Sequence, residues 1–498
     1  MDVQNGRVAI EGGTNAIAGS TFVTTGGDIV GNLSGGGGSG GIGAGAGNTS
    51  ITIGGDLNIL GGFSANSFSL SAINMLDIIL TGDFNMLHDT TMPIVSGPNG
   101  FVIVDSGVGL SISRPVGAPG VTNLTGIGGS GGNSVILLFS PSVDININGD
   151  ITLTGGTSPF NAGWIDFTAG QGGSNHITAR NITLLGGTGS NTVTIGCGLP
   201  ILSAPSDATV DIATSGDLTI GLNSAIATFG TMATNDITIS AGNLIIAAGG
   251  SILSGTGMND GGSISITTTG SIAMNGTIAN PAIIRMSASS PGDMTILANQ
   301  NISLNSPDMI EVLGPGSLFL AVDEAPPYNV SPNIGPGLLH ISSGAVLSTA
   351  GGALRMYAAI PAQTTIDPAA TFNGSSISPA FEELGVWYPG VGSQPGIPYA
   401  LYFKGAVKPP SPPPSPAVRV TALPVYSRFQ TAVSEAFQEW DLFDPYYQTP
   451  LLDILLTYRS DQPLNSYSMT SFDVFEMGMY YMFSESYHTY NTLKLTPF

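Results

Sequence analysis

Short segments in which apolar and polar residues alternate strictly recur along the middle of the chain. In the segment 236–239, Ile237 and Ile239 fall on one side of an extended backbone and Thr238 falls on the other. A helix would need apolar residues three and four positions apart, and β-branched residues disfavour it further. The pattern therefore predicts β-strands with one buried face and one exposed face.

These strands come in pairs that repeat. Each unit has one alternating strand, a short bend of Gly, Ala or Asn, and a second strand. The clearest copies are VDININGDITL at 143–153, HITARNITLL at 176–185, VDIATSGDLTI at 210–220, NDITISAGNLII at 235–246, GSISITTTGSIAM at 262–274 and GDMTILANQNISL at 292–304. The position of Asp236 recurs at Ser263 and Asp293, after 27 and 30 residues. Because insertions fall between strands and not within them, each unit predicts one coil of a solenoid.

Stacked coils would form parallel ladders, with equivalent positions about 4.8 Å apart and the inward Ile, Leu and Val in continuous stacks. The crossover rule for parallel strands makes such a solenoid right-handed. We therefore predict an all-β fold, a right-handed parallel β-helix with two clear strands per coil, over residues 1–306. Its clearest coils lie at 143–304.

The periodic pattern fades toward the C-terminus. Residues 307–407 are predicted to hold the terminal coils and an aromatic cap or adaptor, since the open end of a solenoid needs cover. The sequence KPPSPPPSP at 408–416 is typical of a stiff proline-rich linker. Residues 417–498 are predicted to form a small helical C-terminal module. One helical face there would carry Phe429, Val433, Phe437 and Trp440.

Glycine accounts for 71 of the 498 residues and charged residues for only 9%, so the surface must be built from Ser, Thr, Asn and Gly. The stretch at 31–49 is so rich in Gly that we expect a flexible loop between early coils. The net charge of −22 disfavours nucleic acid and anionic lipid as partners. This composition is typical of extracellular repeat proteins.

The expected location is extracellular or at the cell surface, in association with an outer membrane. No signal peptide and no apolar run of about 18 residues is visible, so no transmembrane helix is predicted and the chain is expected to be a fragment or to use a signal-independent route. Cys197 is the single cysteine. It excludes a disulfide within the chain and is predicted to be a small apolar residue in a coil.

No catalytic, cofactor-binding or metal-binding residue is predicted. The Asp and Asn residues that open many strands favour bends, because they tolerate left-handed backbone and bond their own backbone. Two Gly-rich turns, at 128–136 and 186–194, resemble the calcium-binding nonapeptide of other β-helices. They carry Asn133 and Asn191 where that motif has Asp, and a neutral amide is a poorer calcium ligand.

The alternative function is that of a polysaccharide-active β-helix enzyme, a lyase or glycoside hydrolase. Such an enzyme needs a converging acid and base. The basic candidates in the coils are His176, Arg180 and Arg285, and no cluster of acids lies near the first two in sequence. Four acids could stack over successive coils: Asp144, Asp150, Asp211 and Asp217. Without a converging cluster, the sequence favours a protein that is not an enzyme.

The coil motifs GDLTI, NDITISAGNL, ANQNISL and GSISI resemble those of filamentous-haemagglutinin-like surface proteins over roughly residues 50–306. That resemblance implies a secreted bacterial β-helix that serves in adhesion. The expected function is a non-enzymatic structural or adhesin-type repeat protein for attachment or display, without a cofactor. The expected partners are host-cell, matrix or cell-envelope components, and the recognition surface is expected in the loops or in the C-terminal module past residue 416.

Overall fold

The computed structural model describes individual strands within residues 9–44 and most of residues 48–403. The gaps within the second range are 62–66, 73, 89–100, 129–134, 157–163, 188–191, 198–208, 229–235, 256–261, 287–291, 323–336, 360, 378–381, 385, 387 and 390–397. The chain divides into two units, 1–413 and 414–498, and every described residue belongs to the first. The predicted linker at 408–416 and module at 417–498 lie outside the described residues and stay predictions.

The described part of the chain is a parallel β-helix with three strands per coil, which stack on those of the next coil as three parallel ladders. Ladder 1 contains Thr21–Thr25, Thr49–Ile53, Met75–Leu80, Gly109–Ser113, Thr209–Thr214, Asp236–Ala241, Ile264–Thr268, Met294–Ala298, Leu318–Val322, Leu354–Ala358 and Tyr399–Phe403. Ladder 2 contains Ile29–Asn32, Leu57–Gly61, Phe84–His88, Leu124–Ile127, Asp150–Thr154, Asn181–Leu185, Asp217–Ile220, Asn243–Ala247, Ile272–Asn275, Ile302–Leu304, Leu339–Ile341 and Thr364–Ile366. Ladder 3 contains Ala9–Gly12, Ser39–Ala44, Ser67–Ala72, Phe101–Ser106, Val193–Cys197, Ser224–Thr228, Gly250–Ser254, Ile283–Met286, Met309–Val312, Val346–Thr349 and Thr371–Phe372. Two long strands, Val135–Asn146 and Trp164–Ala179, continue from ladder 3 into ladder 1. The predicted all-β parallel β-helix is confirmed.

The two strands predicted for each coil are those of ladders 1 and 2. Ladder 3 was missed because several of its strands show no alternation. Ser224–Thr228 and Gly250–Ser254 are buried at every position, so their outward residues are as sheltered as their inward ones. The period of two, on which the sequence prediction rests, is absent from such strands.

The expectation of a flexible loop at 31–49 is wrong. The strand Ser39–Ala44 pairs in parallel with Ala9–Gly12 on one side and with Ser67–Ala72 on the other. Ladder hydrogen bonds join backbone groups and need no side chain, so a Gly-rich segment can form a strand where its neighbours fix its register.

The interior of the β-helix is a continuous apolar stack. One inward row of ladder 1 holds the same type of side chain in coil after coil, and none of its members is more than 2% exposed. The row is Ile51, Ile78, Ile112, Ile145, Ile177, Ile212, Ile239, Ile266, Ile296, Leu320, Met356 and Leu401. Each buried aliphatic side chain of this size contributes about 1.5–3 kcal/mol, so every coil is stabilised by the coils above and below it.

Two further short strands lie near the last coils. Ser375–Ser376 pairs antiparallel with Thr371–Phe372, and Glu382–Leu384 pairs with Tyr399–Phe403. A single 3-10 turn, Pro361–Gln363, is described here as well. The described residues contain no helix with the length and apolar character needed to cross a membrane.

A second apolar cluster lies on the outer face of ladder 1 near its end. Tyr357 and Tyr402 are fully buried, and Tyr388 packs edge-on against Tyr357 with ring centroids 5.5 Å apart. Phe319 contacts the same Tyr388 ring at 6.2 Å. Trp387, also predicted for an aromatic cap, lies outside the described residues. The outward face of these coils is therefore covered by aromatic packing, unlike the polar outer face of the coils before them.

Candidate functional site

The outer face of ladder 1 carries an acidic and basic row in its middle coils. Asp144, His176 and Asp211 occupy equivalent positions of three successive coils. His176 Nδ1 lies 3.0 Å from Asp211 Oδ2, and the two side chains are 48% and 50% exposed. Adjacent coils are about 4.8 Å apart, so the two aspartates are separated by roughly 10 Å at Cα. The row therefore places an imidazole between two carboxylates on an open surface.

A groove of 690 Å³ adjoins this row at the corner between ladders 1 and 2. Its floor follows the next outward row of ladder 1, where Asn146 pairs with Thr178 and Thr178 with Ala213. Arg180 and Ser215 line the side toward ladder 2. The groove thus runs across successive coils and offers amide, hydroxyl and guanidinium groups.

The opposite wall of the groove is a long loop that connects ladder 1 to ladder 2. Between Ser113 and Leu124 the connection from ladder 1 to ladder 2 is residues 114–123, whereas Arg180 alone makes this connection two coils later. Arg114 fixes the long loop. Its Nη2 donates to the carbonyls of Ala118 and Pro119 at 2.7 and 2.5 Å, and its Nη1 donates to Thr122 Oγ1 at 2.8 Å.

The Asp and Asn residues that open the strands of ladder 2 form a continuous polar row between coils. Asn181 Nδ2 donates to Asp150 Oδ1 at 2.8 Å, and Asn181 Oδ1 accepts from the backbone N–H of Asp217 at 2.8 Å. The same kind of contact joins Asp83 to Asn123, Asn123 to Asp150 and Asn243 to Ser271. These side chains were predicted only to favour bends within a coil. In the structure they also join each coil to the next one.

The expectation that the acids stack on successive coils needs correction. Asp144 and Asp211 share a row but are separated by His176, and Asp150 and Asp217 are separated by Asn181. The acids therefore alternate with other residues, and no two of these four touch.

Each of the basic candidates contacts one carboxylate of an adjacent coil, a pairing that the sequence did not predict. Arg180 binds Asp150 through two hydrogen bonds of 2.8 and 2.6 Å, and this guanidinium holds the pKa of Asp150 below its ordinary value. Arg285 Nε lies 2.7 Å from Glu311 Oε2. Contacts between coils join residues about 30 positions apart, so the residues next to these basic residues in sequence do not show which acids they contact.

Two buried polar residues were not identified from the sequence. Asn175 is fully buried, and its Nδ2 donates to the carbonyls of Phe167 and Gly196 at 2.8 and 3.0 Å. Asp308 is 1% exposed, and its carboxylate accepts from the backbone N–H groups of Gly276 and Asn305. Burial raises the pKa of Asp308 despite these bonds. Asn175 thus joins strands of two successive coils, and Asp308 joins loops of two coils.

The predictions about metals concern segments that are only partly described. Asn133 and Asn191, in the two turns that resemble a calcium motif, lie outside the described residues. Within the described ranges, no group of three or more His, Cys, Asp or Glu side chains is arranged to hold a metal ion. The backbone of Cys197 pairs in ladder 3 with that of Ala169 and Thr228.

Comparisons of the chain with protein-family models, with curated proteins and with solved structures gave no match.

Proposed function

We propose that the protein is a non-enzymatic, extracellular or cell-surface structural protein of the adhesin type, which displays a binding surface on a rigid β-helix. The observation that carries this proposal is the unbroken ladder 1. Its twelve coil-to-coil pairings run from residue 21 to residue 403. At about 4.8 Å per coil, the ladder is roughly 58 Å long.

Two further features support a display role. Many outward positions of ladders 1 and 2 carry Ser, Thr or Asn, which provide polar surface in a chain with only 9% charged residues. The coil motifs resemble those of filamentous-haemagglutinin-like bacterial surface proteins, whose β-helices are secreted and serve in adhesion. Host-cell, matrix or cell-envelope components are the proposed partners, and the C-terminal module remains a candidate for binding them.

The proposal is tested at two levels. The purified full chain should bind cultured host cells or a matrix preparation saturably, measured with fluorescently labelled protein. Protease treatment of intact producing cells should remove the protein, whereas an intracellular marker stays intact. A protein that resists shaving on intact cells but is degraded after lysis would contradict the surface location.

A second candidate function is glycoside hydrolysis, and the row of Asp144, His176 and Asp211 is the observation that favours it. Inverting glycosidases place an acid and a base about 6.5–9.5 Å apart on either side of the bond that they cleave. Two carboxylates at equivalent positions two coils apart, roughly 10 Å at Cα, come near that separation. His176 could orient one of them.

This second candidate ranks below the first because the row is open to solvent. A general acid at neutral pH is usually buried in apolar surroundings, which keep its proton bound. Asp144 is exposed, and the side chain of Asp211 is 50% exposed. Release of reducing ends from a panel of polysaccharides, lost in both Asp144→Asn and Asp211→Asn, would establish the enzyme. A full panel without product supports the structural role.

A further inference from the structure

We propose that the groove between the Arg114 loop and the corner of ladders 1 and 2 binds a neutral, linear glycan that lies along the β-helix axis. This inference rests on the proposed attachment function, which it deepens by naming the site and the class of partner.

The shape of the groove is the first argument. The groove is open to solvent and has a volume of about 690 Å³. Asn146, Thr178 and Ala213 succeed one another on its floor. They span two coil steps, roughly 10 Å along the axis. An extended ligand of a few sugar units therefore fits better than a compact one.

The chemistry of the lining is the second argument. Asn146 and Ser215 are exposed and Thr178 is half-buried, so their amide and hydroxyl groups face the groove with access to a ligand. Val116, which is fully exposed, and Pro115 add small apolar surfaces on the loop wall. Hydroxyl-rich rings with apolar C–H faces match such a mixture of neutral polar and small apolar groups.

Charge and backbone pairing argue against other ligands. The charged residues of the groove lining are Arg114 and Arg180, which already bind Thr122 and backbone carbonyls and Asp150 respectively. The neighbouring row contains Asp144 and Asp211, and the whole chain carries a net charge of −22, so acidic glycans and nucleic acids are disfavoured. A peptide that adds a strand needs a free sheet edge. The floor of the groove is instead a sheet face whose strands already pair with the coils on both sides.

The loop wall is built before any ligand arrives. The Arg114 guanidinium joins Thr81 O, Thr122 Oγ1 and two carbonyls of its own loop, so residues 115–121 are held against the corner. A site that is already ordered loses little conformational entropy on binding. Arg114 is therefore a positioning residue, and its guanidinium does not need to touch the glycan.

The test uses the full chain and isothermal titration calorimetry with cellohexaose, xylohexaose and mannohexaose as neutral probes and hexagalacturonate as the acidic probe. Ala213→Trp fills the floor of the groove without changing an inward residue. Thr267→Trp is the matched control, because it lies in the same outward row two coils further on and outside the groove.

We expect at least one neutral probe to bind and its affinity to fall about tenfold or more in Ala213→Trp, as when a central contact region is blocked. Thr267→Trp should bind like the parent, and equal melting temperatures should show that both variants fold. Absence of neutral-probe binding, equal affinity in Ala213→Trp, or preference for hexagalacturonate would overturn the inference. If the Ala213→Trp protein loses glycan binding, its attachment to cells should fall too. Attachment by a protein that binds no neutral probe would leave the proposed function standing and refute only the glycan site.

Discussion

Asn181 joins two neighbouring coils of the polar row at the start of ladder 2, so its replacement has a cost that can be worked out. Its Nδ2 donates to a carboxylate oxygen of Asp150, and its Oδ1 accepts from the Asp217 backbone N–H, both at 2.8 Å. The bond to the carboxylate is worth about 1.5–3 kcal/mol and the neutral bond about 0.5–1.5 kcal/mol. Because water replaces part of each bond at this half-buried position, we expect Asn181→Ala to cost about 1–3 kcal/mol.

Asn181→Asp is a sharper test of the same row. It keeps an acceptor for the Asp217 N–H, removes the donor to Asp150 and sets two carboxylates side by side. Like charges about 4 Å apart repel by about 1 kcal/mol in water and about 4 kcal/mol at an effective dielectric of 20. This repulsion raises the folded pKa of the carboxyl pair above the unfolded value, so the folded state binds protons more tightly. The destabilisation should therefore be full at neutral pH and disappear as the pH falls through the raised folded pKa toward the ordinary value.

Hydrogen exchange measured by mass spectrometry can detect a weakened contact between two coils, since a stack of coils can open locally without unfolding as a whole. Peptides that contain the Asp217 amide should exchange faster in Asn181→Ala than in the parent. Thr183→Ala is the control, because Thr183 lies on the same strand two residues further on and takes no part in the polar row. Equal exchange at Asp217 in the parent and Asn181→Ala would refute the role given to the row, as would a pH-independent effect of Asn181→Asp.

Three further changes test other parts of the fold. Asn175→Val should lower the free energy of unfolding in urea by about 2–4 kcal/mol, because two buried carbonyls lose their hydrogen-bond donor. An unchanged free energy would show that water replaces the lost donor. Arg180→Met should raise the pKa of Asp150, measured by its carboxyl NMR resonance. The parent gains stability from the lowered pKa at neutral pH and loses it as the pH falls through the folded pKa, so Arg180→Met should lack this pH-dependent stability. The pKa of Asp308 is raised by burial, so its contribution to stability decreases as the pH rises from the ordinary Asp value to the raised one. The melting temperature of the parent should therefore fall relative to that of Asp308→Asn over that pH interval. Parallel plots of melting temperature against pH for the two proteins would contradict the raised pKa of Asp308.

The strands of ladders 1 and 2 could be predicted because one face is buried and the other is not. Asp236–Ala241 shows this alternation in its burial, and the sequence DITISA carries the same alternation in its side chains. Ladder 3 could not be predicted in the same way, since Gly250–Ser254 is buried on both faces. The strand Ser39–Ala44 was not predicted for a different reason. Gly has no side chain, so a Gly-rich strand shows no alternation between the buried and exposed faces of the sheet.

The contacts that make up the candidate site depend on the register between coils, which the sequence does not state. His176 and Asp211 are 35 residues apart, whereas Asp236 and Ser263 occupy equivalent positions 27 residues apart. Variable loops between strands prevent a fixed offset from aligning them. The groove is harder still to foresee, because it depends on a loop that folds back through the contacts of Arg114.

The way in which charges are stacked bears on the choice between the two candidate functions. In a parallel β-helix every outward residue meets its equivalent about 4.8 Å away in the next coil, so an uninterrupted row of acids would repel at each step. In the outward row of ladder 1, Asp77 and Asp144 are separated by Ser111, and Asp144 and Asp211 are separated by His176. In the ladder 2 row Asn181 likewise separates Asp150 from Asp217. Earlier in that row Asp56 and Asp83 are direct neighbours, and the Asp83 backbone N–H donates to Asp56 Oδ1 at 2.7 Å. A His between two Asp is therefore consistent with stacking alone and does not by itself indicate catalysis. Repulsion between like charges in successive coils also explains why a long β-helix with a net charge of −22 has many neutral polar residues on its surface. This explanation favours the structural role over the enzyme, and it leaves the groove as the feature of this outer face that stacking does not explain.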